Sequence, residues 1–153
     1  MSLPNELAGV TQLRTAMAWQ RLKRVADVRP GFLRDSPAFQ LTPELAPLPS
    51  EVIFDKITMS GFEGTPLNIA LRDRGLFACA IVGIALEVGI EPTVRHATDL
   101  GYIPILVTDA CGWRDKAAHQ RALDGLAFAG GSFPTDAATI CKLLASAAKG
   151  GKA

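Results

Sequence analysis

The sequence has few of the residues that metal sites, disulfide frameworks and membrane spans require. Only three cysteines and two histidines occur in 153 residues. Because Cys79, Cys111 and Cys141 form no CxxC pair, we expect free thiols and neither a metal nor another cofactor. The longest apolar stretch, 76–86, is eleven residues long, well short of the ~20 that a membrane-spanning helix needs.

An excess of charge of one sign is also absent. Sixteen Lys and Arg against fifteen Asp and Glu leave a formal net charge of +1, which provides no general attraction to nucleic acid or to an anionic membrane. The first thirty residues contain several basic side chains but no compact apolar core with a cleavage site, which argues against a secretory signal. We therefore expect a cytoplasmic protein with a small-molecule partner, no nucleic acid and no membrane.

What is present is the composition of an ordinary globular domain, 48% apolar and 20% charged. Three apolar runs, 51–55, 79–83 and 103–108, alternate with helical stretches. This order predicts an α/β fold, a doubly wound parallel sheet flanked by helices. The predicted helices of this region are 67–74, 90–101, 115–127 and 136–147, with Thr65 and Thr135 as helix caps.

The part before residue 51 follows a different pattern. Spaced apolar residues predict a helix over 11–26, and five prolines over 29–49 indicate an extended connection. We therefore expect 1–50 to be an irregular and helical N-terminal segment, and 51–148 to be the α/β domain.

Ligands of open parallel sheets bind beyond the carboxyl ends of the strands, and three residues near those ends are candidates for a site. Lys56 directly follows a predicted strand, where desolvation lowers the pKa of an amine; the alternative is a surface lysine whose stem packs on apolar residues. Gly89 precedes a helix whose free N–H groups can receive an anion; the alternative is a glycine that the backbone of a loop requires. Cys111 is either a nucleophile or a small buried apolar residue.

Two stretches contain several motifs in a specific order. Residues 82–112 have the sequence VGIALEVGIEPTVRHATDLGYIPILVTDACG, and residues 54–76 have the sequence FDKITMSGFEGTPLNIALRDRGL. Over about 43–144, the chain resembles the isochorismatase-like cysteine hydrolase superfamily. The resemblance implies the doubly wound α/β fold, and many members of the superfamily hydrolyse C–N bonds of small amides with an Asp, a Lys and a Cys.

The resemblance assigns roles to particular residues. Lys56 takes the position of the family lysine. Gly89 takes the position of the nucleophilic cysteine, and Leu86 and Ile90 beside it belong to the substrate pocket. A glycine has no side chain with which to attack, so a covalent thioester at that position is excluded. True isochorismatases, which cleave a vinyl ether, also dispense with this cysteine, and in such members water attacks while acid and base groups move protons.

The N-terminal part departs from the family pattern. No hydrophobic strand that delivers the family's aspartate precedes residue 51, so the domain looks N-terminally shortened. Asp27 is the candidate for that aspartate, and a surface turn residue is the alternative. The absent strands would leave apolar surface of the sheet uncovered, which the N-terminal helix or a second subunit of a homo-oligomer can cover.

Two functions are consistent with these features. The first is an isochorismatase-like hydrolase that acts on a small polar substrate without a covalent cysteine intermediate. The alternative is a catalytically inactive isochorismatase-fold protein that binds a ligand or forms oligomers.

Overall fold

The structure is a computed structural model that describes residues 13–29 and 36–150. The chain forms two compact units. Within the described part, the first unit contains residues 13–29, 36–58 and 63–65, and the second contains residues 59–62 and 66–150.

The described residues of the first unit form one short α-helix. Helix α1, Leu13–Trp19, buries Ala16 in a small apolar cluster with Val28. The predicted helix over 11–26 is too long, because Arg21 has a φ of +56° and the chain turns there. Residues 11 and 12 lie outside the described residues. The other described residues of this unit include three single turns of 3-10 helix, Val25–Asp27, Pro37–Phe39 and Pro43–Leu45.

Residues 51–55 form no strand, so this part of the prediction is wrong. Val52 and Ile53 are 67% and 59% exposed. The chain turns just before them, where the Leu48 N–H donates to the Glu51 carboxylate at 2.8 Å. An apolar run becomes a strand only where a neighbouring strand pairs with it, and within the described part of the chain none does so.

The second unit contains a parallel sheet of three strands. The strands are β1, Ala78–Gly83, β2, Ile103–Cys111, and β3, Phe133–Thr135, and they lie in the order β1-β2-β3. Both pairs are parallel, which confirms the predicted fold class. The sequence analysis missed β3, because a strand of three residues that includes a proline is too short to show a periodic pattern.

Four helices flank the sheet. They are α2, Leu67–Asp73, α3, Glu91–Asp99, α4, Lys116–Ala129, and α5, Ala137–Gly150. The predicted caps are wrong at two of them. Pro66 is the N-cap of α2 and makes no side-chain cap bond, and the carboxylate of Asp136, not Thr135, accepts from the Thr139 N–H before α5 at 2.8 Å. A carboxylate is the stronger acceptor at a helix N-terminus.

The main core lies between the sheet and the helices α3 and α4. Ile81 of β1 and its neighbour Leu106 of β2 face this core. Val107, on the opposite face of β2, is also buried, and α5 packs against β2. In contrast, Val82 of β1 is 53% exposed, and no described strand pairs with the outer edge of β1. The full core cluster is Ile81, Leu86, Val94, Leu106, Cys111, Ala122 and Leu126.

A second cluster lies beside α2 and α3. Phe62 and Tyr102 stack with their ring centroids 5.5 Å apart, and Ala97 is fully buried beside them. The Tyr102 hydroxyl donates to the Asn68 side-chain oxygen at 2.9 Å. Within the described ranges, no helix is long and apolar enough to cross a membrane.

Candidate active site

The carboxyl end of β1 leads directly into a single π-helical turn. Gly83 ends the strand with a φ of +131°, a conformation that glycine adopts most readily. A cis peptide bond joins Ile84 to Ala85, and the π-helical turn, Leu86–Ile90, continues into α3. Single π-helical turns inside α-helices occur often at functional sites.

This π-helical turn contains the three residues that the sequence analysis assigned to the substrate pocket. Leu86 is fully buried in the main core, and Ile90 packs against the same core. Gly89 is half-buried, and its carbonyl accepts a 2.6 Å hydrogen bond from the Thr93 hydroxyl. Leu86 thus packs between the turn and the core, and its side chain is not accessible to a ligand in this conformation.

The loop after β2 is bonded to the same turn through its backbone. The Gly112 N–H donates to the Gly83 carbonyl and the Leu86 N–H donates to the Gly112 carbonyl, both at 2.9 Å. A β-carbon on Gly112 would lie 2.9 Å from Ile84 Cγ1, so a side chain at position 112 would require the exposed Ile84 side chain to shift. The carboxyl ends of β1 and β2 are therefore joined at one edge by backbone hydrogen bonds.

Glu87 adds a charged link across this edge. One carboxylate oxygen accepts the N–H groups of Arg114 and Asp115 at 2.7 and 2.9 Å. Burial alone would raise the pKa of Glu87, but these donors and the attraction of His119 outweigh it and hold the pKa below its ordinary value. The sequence analysis missed Glu87. The available signal was an acidic residue that is surrounded by apolar residues and lies within the first turn after a strand.

Two buried polar atoms near this link have no hydrogen-bond partner among the described residues. They are the second carboxylate oxygen of Glu87 and Nδ1 of His119. The His119 ring lies 5.3 Å from that of Trp113, in a tilted contact. Glu87 of the π-helical turn, Trp113 of the loop after β2 and His119 of α4 thus lie close to one another.

Cys111 and Cys79 do not have the surroundings of a nucleophile. Cys111 is 4% exposed within the main core, and burial raises the pKa of its thiol. Burial also raises the pKa of the half-buried Cys79. Neutral, buried thiols are poor nucleophiles, so the surroundings of Cys111 match the buried apolar alternative.

A further pair of polar side chains joins the segment 59–62 to α3. The Ser60 hydroxyl lies 2.9 Å from His96 Nδ1 and accepts from the Phe62 N–H at 3.1 Å. The Gly61 N–H donates to the Thr93 hydroxyl at 2.8 Å. These bonds fix the segment 59–62, which follows the lysine motif in the sequence, against α3.

Lys56 belongs to the first unit. Its ammonium donates to the Thr58 carbonyl at 2.7 Å, and the Thr58 hydroxyl donates to the Glu63 carbonyl at 2.7 Å. The side chain is largely exposed, yet partial desolvation lowers the pKa of its amine. Asp55 lines a cleft of about 420 Å³ formed with the proline-rich part of the same unit.

Asp27 lies at the end of a 3-10 turn of the first unit. Both of its carboxylate oxygens accept from the Arg24 guanidinium, at 2.7 and 2.8 Å. An exposed ion pair between residues three apart in sequence is typical of a residue in a surface turn. A metal site needs several ligands in one place, and within the described ranges no three His, Cys, Asp or Glu side chains form such a group.

A parallel sheet flanked by helices, with two glycine-containing loops joined at the carboxyl ends of its strands, defines an α/β protein with a strand-end site. The isochorismatase domain family matches residues 7–139. The chain therefore belongs to the isochorismatase domain family. The match begins inside the region that the sequence analysis set apart as 1–50.

Solved structures of relatives share this fold. An isochorismatase-like hydrolase from Alkaliphilus metalliredigens is 21% identical, with a TM-score of 0.69, over 80% of this chain and 66% of that one. An isochorismatase family protein from Burkholderia thailandensis is 26% identical, with a TM-score of 0.64, over 89% and 83%. A pyrazinamidase/nicotinamidase from Streptococcus mutans is 30% identical, with a TM-score of 0.51, over 54% and 45%. The chain thus spans less than two thirds of the length of the Alkaliphilus and Streptococcus proteins.

Proposed function

We propose that this isochorismatase-family chain is a hydrolase that cleaves a bond in a small polar substrate without a covalent cysteine intermediate. The observation that carries the proposal is Gly89, which occupies the position where the resemblance places the nucleophilic cysteine. It lies in a π-helical turn at the carboxyl end of β1, which is where open parallel sheets bind their ligands.

Water is the nucleophile in this proposal. Gly89 has no side chain, and burial raises the pKa values of the buried Cys111 and the half-buried Cys79. The water oxygen forms the new bond to the substrate carbon, its proton passes to a basic group, and the leaving group takes up a proton as the old bond breaks.

Lys56 is the proposed proton-handling group. Its lowered pKa increases the fraction of neutral amine, which is the form that accepts a proton. Gly89 and Ile90 would line the substrate pocket, with Leu86 behind them, and Asp27 is the candidate for a second acid or base. The Streptococcus mutans enzyme is a nicotinamidase by name, so nicotinamide is the first amide to test.

The test is turnover by the purified chain on three small substrates, an amide, an ester and a vinyl ether. The variants are Lys56→Met, which removes the amine, and Lys116→Met, a matched control at an exposed lysine of α4. We expect Lys56→Met to reduce kcat at least ~100-fold, the contribution of a positioned acid or base, and Lys116→Met to retain full activity. Circular dichroism verifies that both variants fold.

Each result decides one part of the proposal. Unchanged turnover in Lys56→Met rejects the role of Lys56. A twofold or smaller change in Asp27→Asn rejects Asp27 as the second group. A burst of one product equivalent per chain, before steady turnover, would indicate a covalent intermediate and reject attack by water.

The second candidate is a catalytically inactive isochorismatase-fold protein that binds a ligand or forms oligomers. It is favoured by the bidentate pairing of Asp27 with Arg24, which occupies both carboxylate oxygens. This candidate predicts no turnover on any of the three substrates. A cytoplasmic location belongs to either proposal and is supported by three free cysteines, since free thiols persist in reducing compartments.

A further inference from the structure

A cleft of about 420 Å³ lies within the first unit, where residues of the proline-rich segment 39–47 face Ile53 and Asp55. Its volume falls in the range of about 300–1,000 Å³ that small-molecule sites occupy. Protein cavities of about 150 Å³ already accept a benzene molecule. The cleft is therefore large enough for a ligand with one ring and a short chain, and the proposed hydrolysis assigns no role to it.

The walls of the cleft are mostly apolar. Leu41 and Ile53 are 54% and 59% exposed, so a ligand that covers them removes apolar surface from water. Phe39 adds a half-buried aromatic ring. Pro43 and Pro47 restrict the backbone of the same wall, and a wall that is already ordered loses less entropy when it binds a ligand. This lining favours a ligand with an apolar body.

The charge of the cleft is negative. Among the described residues that line it, Asp55 is the only charged one, and Gln40 and Thr42 are neutral polar residues. The segment 36–55 also contains Glu44 and Glu51 but no Lys, Arg or His. Carboxylates without basic neighbours give this part of the surface a negative potential, which attracts cations and repels anions.

Lys56 does not supply a positive charge to the lining. It follows Asp55 in the sequence, but it is not among the described residues that line the cleft, and its ammonium donates to the Thr58 carbonyl at 2.7 Å. A cationic ligand in the cleft meets the carboxylate of Asp55 and the ring of Phe39, and both groups attract cations. An anionic ligand meets the same carboxylate as a like charge.

We propose that this cleft binds a small organic amine, with its ammonium group against the Asp55 carboxylate and its apolar body against Leu41 and Ile53. Hydrogen bonds between an ammonium and a carboxylate are about twice as strong as neutral ones. An ammonium group has three N–H donors, and the side-chain oxygens of Gln40 and Thr42 are acceptors within the same lining.

This proposal concerns binding and does not depend on the proposed hydrolysis. The described lining residues of the cleft all belong to the first unit, whereas Gly89 belongs to the second. An amine that contains no amide, ester or vinyl ether gives no turnover by the proposed reaction. Binding in the cleft and hydrolysis can therefore fail separately.

The test is isothermal titration calorimetry of the full chain with 2-phenylethylamine and with 2-phenylethanol, which has the same carbon skeleton but no charge. We expect the amine to bind at least ~10-fold more tightly than the alcohol, and Asp55→Asn to remove this difference. The matched control is Glu44→Gln, an acid of the same segment that is not among the described lining residues. It should weaken the amine about twofold or less, because an exposed charge without contact is screened.

A second variant tests the apolar wall. Ile53→Ser should weaken the amine and the alcohol alike, at least about fourfold, which is the effect of one buried methylene group. Circular dichroism verifies that each variant folds.

Each outcome bears on one contact. The absence of measurable amine binding to the wild type, an alcohol that binds as tightly as the amine, or an unchanged amine affinity in Asp55→Asn would overturn the proposal. An equal loss of affinity in Glu44→Gln would overturn it as well, because the carboxylates would then act as a general field and not as a site. Unchanged binding of both compounds to Ile53→Ser would overturn the placement of the apolar body.

Discussion

The Thr93 hydroxyl joins two separate parts of the chain at the candidate active site. It donates to the Gly89 carbonyl at 2.6 Å and accepts from the Gly61 N–H at 2.8 Å. One side chain thus holds both the π-helical turn and the segment that follows the lysine motif. The position of Gly89 therefore depends on this threonine as well as on the strand before it.

We predict that Thr93→Val destabilises the fold by about 1–2 kcal/mol, because the valine keeps the shape of the side chain but leaves the Gly61 N–H and the Gly89 carbonyl without this partner. The measurement is urea unfolding followed by circular dichroism. Thr93→Ser is the matched control, since it keeps the hydroxyl. Equal stability of the valine variant and the wild type would contradict the assigned link.

Glu87 should make stability depend on pH in the acid range. Its folded pKa lies below the ordinary carboxyl value of 4.5, so its contribution is present above that value and is lost as the pH falls through the folded pKa. At neutral pH we expect Glu87→Gln to lose about 1–2 kcal/mol, because charge-assisted bonds to two N–H groups become weaker neutral ones.

The check on Glu87 is the unfolding free energy of both proteins between neutral and acid pH. The two curves should converge as the carboxylate takes up its proton. Glu91→Gln is the control in the same region, and it should lose only about 0.5 kcal/mol because its pair with Arg95 is exposed. A constant difference at every pH would rule out the ionised carboxylate as the cause.

Lys56 should release its proton below the ordinary lysine pKa. Partial desolvation favours the neutral amine, so acylation of Lys56, followed by mass spectrometry across a pH series, should reach half-maximal rate below pH 10.5. The unfolded chain keeps this proton up to a higher pH than the folded chain does. The charged amine therefore lowers the free energy of unfolding near neutral pH, and this destabilisation disappears above the ordinary pKa. A midpoint at or above the ordinary value would contradict the desolvation.

The parts of the fold that local sequence signals determine were predictable. The apolar runs at 79–83 and 103–108 are strands β1 and β2, and the helical stretch predicted over 115–127 is α4, Lys116–Ala129. An apolar run and a helical stretch are read from neighbours in sequence, whereas the predicted caps Thr65 and Thr135 were wrong. Residues 51–55 also form an apolar run, but pairing depends on a distant strand, and no pattern within the run contains that information.

The candidate site also has a part that could be predicted from the sequence and a part that could not. The resemblance assigned a role to Gly89, because a family motif is read along the chain. Glu87 was missed because its role is to bind two N–H groups 27 and 28 residues later. Such contacts arise only when β1 and β2 pair and bring their following loops to one edge.

The final prediction concerns what position 89 can do when it has a side chain. Gly89 does not have a positive φ, so its backbone accepts a β-carbon without strain, and Gly89→Cys should fold. The introduced thiol would precede the N-terminus of α3, where the helix dipole favours a thiolate. We therefore expect iodoacetamide to modify it at neutral pH faster than the exposed native thiol of Cys141.

The experiment separates a substrate-facing position from a structural one. Gly89→Ser controls for folding, and the wild-type chain gives the rates for Cys141 and for the buried Cys111. Modification of the new thiol as slow as that of Cys111 would mean that position 89 faces the core, and the strand-end site would lose its central residue. If the new thiol reacts fast and nicotinamide slows its reaction, position 89 lies within reach of a small amide. Continued reaction of Cys141 in the same sample would show that a bound ligand protects the new thiol specifically.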